Sequence, residues 1–167
     1  QIGLSTLCCL VDVAWALSHP AHVVVIAADV ELKAKGLLRK CADWLRQLSS
    51  TTGTKLLVAE SALTLVLANG ARIVAVSGSA RDAVRSQSVN LLHASELGFF
   101  ADEGTFGVMT SAMGTSSRIV IESSASPADN DFSRIWHESD NGYHHIFHGI
   151  ESHAEYRAHP ESIDDTR

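Results

Sequence analysis

The sequence predicts a three-layer α/β domain, with a mainly parallel sheet, helices on both faces and an inserted β-hairpin. Three observations carry this. Short continuous apolar runs rich in β-branched residues, such as residues 22–28 (HVVVIAA), suit strands covered on both faces. Stretches with apolar residues at spacings of three and four alternate with these runs, the order that parallel strands and crossover helices require. Asn69-Gly70, set between apolar runs at 63–67 and 71–76, is the strongest short-range hairpin signal.

Composition agrees with a packed core. The 167 residues are 46% hydrophobic and 19% charged, which excludes a disordered chain and a disulfide scaffold. A net charge of −6 argues against a broad basic surface that grips nucleic acid. Cys8, Cys9 and Cys41 show no C-x-x-C or Cys/His zinc spacing and read as small buried apolar groups in a reducing compartment. The apolar stretch 7–17, broken only by Asp12, is far shorter than the roughly 20 residues that span a bilayer and lacks a basic flank. The chain opens with Gln, followed at once by a glycine turn. It is therefore expected to start inside a motif, with cuts at both ends.

Taken in order, residues 5–18 form a helix apolar nearly all round, expected to be covered on both faces and stopped by His19-Pro20. After the strand at 22–28, Asp29 can cap a helix to about residue 48, with Ala34, Leu38, Cys41, Leu45 and Leu48 in one stripe. Residues 49–54 (SSTTGT) read as a loop, followed by the hairpin. Ser79 and Asp82 resemble a capping box opening a short helix. A strand at 89–94 leads to a helix over 97–113, weakened by Gly98, Gly104 and Gly107. A strand at 118–121 follows, then a helix opened by Ser126-Pro127 and a last strand at 143–147. The polar tail reads as a linker.

In such sheets ligands bind beyond the carboxyl ends of the strands. Three segments could carry chemistry there. Gln1-Ile2-Gly3-Leu4-Ser5-Thr6 offers a glycine, a helix N-terminus and hydroxyls suited to a phosphate and Mg2+. Leu4 stands where a lysine normally meets the terminal phosphates, and alone the segment reads as a glycine turn capped by Ser5. Residues 91–96 (LLHASE) end a buried strand on Glu96, which can orient an attacking water. Ser95 takes the place of the aspartate that usually holds Mg2+ through water. An acid here is also an ordinary first-turn residue. Ser123 and Ser124 end the next strand, as coupling hydroxyls or as simple loop residues and caps.

The order of these three segments is that of P-loop ATPases with an added catalytic glutamate. More specifically, the chain resembles the ATPase domain of the large terminase subunit of tailed phages. Residues 1–6 are similar to the family's R-Q-x-G-K-[ST] loop without its first residue and with Leu4 for Lys (Walker A). Arg85-Ser86 looks like its Arg-Gly element. Residues 92–100 (LHASELGFF) are similar to a variant acidic motif with Ser before Glu (Walker B), and residues 122–125 fall at the coupling motif. Phe132, Trp136, Phe147 and Glu155-Tyr156-Arg157 resemble the aromatic trail into the linker.

The resemblance implies an ATP-binding and hydrolysing motor over residues 1–150 and, at 151–167, the start of a linker to a missing nuclease domain. Gly3, Leu4, Ser5 and Thr6 would cradle phosphate, Ser5 and Ser95 would hold Mg2+, and Gln1 would contact base or ribose. Glu96 would be the catalytic carboxylate, Ser123 or Ser124 the coupling hydroxyl, and Arg85 a phosphate sensor or domain-coupling cation. It further implies double-stranded viral DNA, the portal protein and the small terminase subunit as partners, a homo-oligomeric ring on the portal, no membrane, and the host cytoplasm. Cut before its first strand, the fragment alone is expected to be inactive. Leu4 and Ser95 motivate the alternative of a degenerate nucleotide-fold module that binds partners without hydrolysis. His137, His144, His145, His148 and His153 invite a metal reading, but adjacent histidines of an extended segment point to opposite faces, so exposed side chains are expected.

Overall fold

A computed structural model describes residues 3–78, 88–102, 104–111, 113–126 and 129–147. The elements run α1 (Leu4–Ser18), β1 (Val23–Ala28), α2 (Glu31–Thr52), β2 (Leu57–Glu60), β3 (Thr64–Leu67), β4 (Arg72–Ser77), β5 (Val89–Ser95), α3 (Thr105–Ser111), β6 (Met113–Glu122) and α4 (Asp131–His137). The strands form one sheet in the order β2-β3-β4-β1-β5-β6. β4, β1, β5 and β6 are parallel, while β2 and β3 pair antiparallel at one side.

Each face of the sheet has its own apolar cluster, which makes the expected three layers. Val24, Ile26 and Ile73 pack against Cys9, Val13 and Ala16 of α1 and Leu38, Cys41 and Leu45 of α2. Val25, Ala27 and Leu92 face the other way, against Phe106 and Met109 of α3 and the partly buried Phe132 and Ile135 of α4. Every residue of β1 is buried, as its unbroken apolar run requires. The β3–β4 hairpin turns at Asn69-Gly70, with Gly70 at φ 81°. Asn69 also caps α1, its side-chain amide donating to the carbonyls of Ala16 (2.8 Å) and Leu17 (3.1 Å).

Several expectations need correction. α1 lies in an outer layer, so only one face is covered; Leu7, Leu10 and Val11 are exposed. Val30 takes the cap position of α2 with no side-chain bond, and Asp29 instead accepts Lys33 Nζ at 2.6 Å. The SSTT stretch is helical. The hydroxyls of Ser49, Thr51 and Thr52 bond back to carbonyls four residues earlier, and Gly53 at φ 68° ends the helix. β2 carries no strong pattern and was not anticipated. The single helix expected over 97–113 is a short 3-10 turn at Leu97–Phe99 and the separate α3, with Gly104 at φ 76° between them and β6 beginning at Met113. α4 opens at Asn130 through a capping box with Ser133, later than Ser126. Residues 143–147 form no strand. The Ser79–Asp82 capping box lies outside the described residues, as does residue 127.

Candidate active site

The parallel register brings four strand ends into one row, Ser77, Ala28, Ser95 and Glu122 across β4, β1, β5 and β6. Beyond this row the chain turns away, and the polar side chains gather there.

Glu96 follows β5 directly. Its backbone sits in the left-handed region at φ 57°, and its N–H donates to the Glu122 carbonyl at 2.7 Å. Non-glycine residues avoid this region at a cost of order 1–2 kcal/mol, so the surrounding bonds hold it there. The carboxylate accepts the Ser124 N–H at 3.0 Å and faces the Ser124 hydroxyl at 3.4 Å. Ser123 turns elsewhere. Its hydroxyl accepts the Gly98 N–H at 3.0 Å and donates to the Ser124 carbonyl at 2.9 Å. Of the two serines, Ser124 meets Glu96, and Ser123 pins the loop to the 3-10 turn.

Gly3 stands before α1 at φ 73°, the left-handed turn that glycine permits. Ser5, in the first turn, lies near the Glu122 carboxylate and helps to lower its pKa. Thr6 faces α2, where its hydroxyl accepts Lys40 Nζ at 3.2 Å. Leu4 is 39% exposed and brings no charge. Lys33 lies on the same edge. Its hydrogen bond to Asp29 holds its ammonium above the ordinary value, and the charges of Glu96 and Glu122 add to that effect. Gln1 and Arg85 lie outside the described residues.

Beneath the edge runs a buried polar chain that sequence reasoning missed. His93 Nδ1 lies 2.7 Å from Asp12 Oδ2, and Nε2 faces Glu122 Oε1 at 3.7 Å. Ser95 donates its hydroxyl to the same Glu122 oxygen at 2.5 Å. Burial opposes charge on His93 most strongly, but bonds with Asp12, Cys8 and Glu122 outweigh it and hold the ring well above its ordinary value. Burial likewise pushes Glu122 up, yet bonds from His93, Ser95 and Ser5 bring it below its ordinary value. For Asp12 burial wins, and its carboxyl is raised. The available signals were a single acid in an apolar helix and a single histidine in an apolar strand.

The hydroxyls of Ser5 and Ser95 and the Glu122 carboxylate are hard oxygen donors, the set that Mg2+ prefers. Cys9, Asp12 and Cys41 also bring three ligand atoms within 4.8 Å of one another. The two thiols there donate to backbone carbonyls, Cys9 to Leu37 at 3.9 Å and Cys41 to Cys9 at 3.8 Å, as free cysteines in a core do. All three cysteines are buried, as expected. His137, His144 and His145 are exposed, and His145 stacks on Trp136 with ring centroids 4.9 Å apart. His148 and His153 lie outside the described residues. Trp136 also meets Phe132 and Phe147, so these three members of the aromatic trail do converge; residues 155–157 lie outside the described residues. Among the described residues no helix is long and apolar enough to cross a membrane.

No family model matches the sequence, and no curated protein does. Solved structures do match. The large terminase of bacteriophage HK97 superposes with a TM-score of 0.66 at 15% identity, over 80% of this chain and 29% of that one. The ATPase domain of the Thermus phage P74-26 large terminase gives 0.63 at 13% identity, over 77% of this chain and 58% of that one. The chain therefore has the fold of a large-terminase ATPase domain and spans less than two thirds of either matched chain.

Proposed function

We propose that this chain is the ATP-binding and hydrolysing motor domain of a viral DNA-packaging terminase. One observation carries the reading: on this fold, a carboxylate at a strand tip, Glu96, is bonded to a serine of the next strand's loop, Ser124. That loop follows Glu122, whose carboxylate lies near Ser5 at the amino end of α1.

In this reading the γ-phosphate of ATP lies against the first turn of α1. The N–H groups after Gly3 and the helix dipole favour the anion there. Ser5 is the cation-facing hydroxyl, with Thr6 turned to α2. Lys33 supplies positive charge on an edge where Leu4 supplies none. When bound, Mg2+ neutralises charge on the phosphates. Glu96 orients a water for in-line attack on the γ-phosphorus and takes its proton, while ADP leaves. The Glu96–Ser124 bond links the state of that carboxylate to the loop ahead of α4, a path from hydrolysis to movement. Gln1 and Arg85 are assigned nucleotide contact and phosphate sensing by the family resemblance. The same resemblance supplies the larger setting: double-stranded DNA driven into a procapsid by a ring on the portal, with the small subunit as partner.

Phosphate release by the intact protein tests this. Glu96→Gln should slow turnover by about 10²–10⁴-fold, the range for a lost general base, with ATP affinity kept. Unchanged turnover overturns the reading. A non-hydrolysing module, the reading that Leu4 and Ser95 motivate, predicts no Mg2+-dependent ATP binding by calorimetry.

A further inference from the structure

We propose that Glu122 is the protein carboxylate that secures the divalent cation beside the nucleotide, a task passed across the sheet from position 95 to the neighbouring strand. This rests on the ATPase reading above and deepens it.

The geometry is specific. Ser95 and Glu122 are register partners at the ends of two parallel strands, so their side chains emerge side by side on one edge. The Ser95 hydroxyl donates to Glu122 Oε1 at 2.5 Å, and Ser5 at the amino end of α1 lies near the same carboxylate. A carboxylate at position 95 itself would occupy the place where the Glu122 oxygens now meet Ser95. The chain thus keeps one carboxylate between the helix hydroxyl and the strand tip, carried by the other strand.

Burial sharpens the case. Glu122 is only 6% exposed, and buried carboxylates persist when something compensates their charge. Here one imidazole, His93, serves two carboxyl groups, Asp12 and Glu122. A further cation at the Ser5 side would complete the balance, and Mg2+ is commonly held by one or two carboxylates with its remaining positions on water and phosphate. His93 is a positioning residue in this scheme, since it touches Glu122 and stays fully buried behind it.

The test uses Mn2+ as the probe, with a non-hydrolysable ATP analogue and the intact protein, read by electron paramagnetic resonance. Glu122→Gln should weaken Mn2+ binding in the ternary complex by about 10–100-fold, the usual loss when a group supporting a metal is removed. Metal-free analogue binding should be retained. Ser95→Asp added to Glu122→Gln should restore most of the loss, because it returns the carboxylate to the same spot from the adjacent strand. A merely structural Glu122 would not be rescued this way. Should Glu122→Gln fail to fold, Glu122→Asp keeps the charge one methylene further back and should give an intermediate loss. Mn2+ binding indifferent to both Glu122 variants, or absence of rescue in a folded double variant, overturns the cation assignment alone. Absence of any analogue binding by the unmodified protein overturns the ATPase reading and this proposal with it.

Discussion

His93 and Asp12 meet through a 2.7 Å bond with both side chains fully buried, joining the middle of α1 to β5 across 81 residues of chain. Removing one partner strands the other in an apolar layer. His93→Leu should therefore destabilise the domain by about 3–5 kcal/mol, the cost typical of a buried pair broken on one side. The double replacement Asp12→Leu with His93→Leu should recover part of that, because Asp12 is no longer stranded while Glu122 still loses its contact with His93. Urea unfolding of the three proteins decides it. A double variant no more stable than His93→Leu would show that the pair is not the unit of stability.

The same chain sets a pH dependence. The folded-state value of His93 lies well above its ordinary 6.5, so its contribution is fully present below that value and lost as pH rises through the folded value. Melting temperature should decline on the alkaline side, beginning near neutrality. His93→Gln should flatten that limb while lowering stability at pH 6. In acid, Glu122 and Asp12 oppose each other. The depressed Glu122 loses stabilisation as pH falls, whereas the raised Asp12 is relieved by protonation. The acid limb should consequently be shallow. Thermal melts across pH read both limbs, and an alkaline limb unchanged in His93→Gln would assign it to other groups.

The sequence was most readable where signals are local. The hairpin follows from Asn69-Gly70 alone, and β1 from an unbroken run of buried residues. Boundaries failed where tertiary context overrode composition. The hydroxyls of Ser49, Thr51 and Thr52 look like loop chemistry, yet they bond back into their own helix and prolong it. Glu96 and the pair Ser123 and Ser124 were singled out as strand-end residues, and they lie just beyond the ends of β5 and β6, where Ser124 meets Glu96. Glu122, His93 and Asp12 were not legible, because what defines them is a contact between distant segments that no spacing rule encodes.

Glu96, the carboxylate assigned to water activation in the proposed function, carries a backbone cost. At φ 57° it occupies a region that glycine enters freely. Glu96→Ala and Glu96→Gly both delete the carboxylate and its bonds to Ser124, so comparing them isolates the backbone. The glycine variant should be more stable than the alanine variant by about 1 kcal/mol, and neither should hydrolyse ATP. Chemical denaturation with a phosphate-release assay covers both points. Equal stability would mean that the left-handed turn is not held in the folded protein.

Gly98 tests whether the loop after β6 must be placed accurately. A Cβ there would come within 2.9 Å of the Ser123 hydroxyl, which already accepts the Gly98 N–H at 3.0 Å. The added methyl must push Ser123 outward, and Ser124 moves with it, away from Glu96. Gly98→Ala should therefore reduce turnover by about 10²-fold, as misplacement on the ångström scale commonly does. ATP affinity should hold, because the α1 turn is untouched. Gly36 provides the contrast, an exposed position in α2 with open space around its would-be Cβ. Gly36→Ala should add about 0.5–1 kcal/mol of stability and leave turnover unchanged. Steady-state kinetics on both variants separates kcat from KM. Turnover of Gly98→Ala equal to that of Gly36→Ala would mean that hydrolysis does not depend on where the Ser123–Ser124 loop sits.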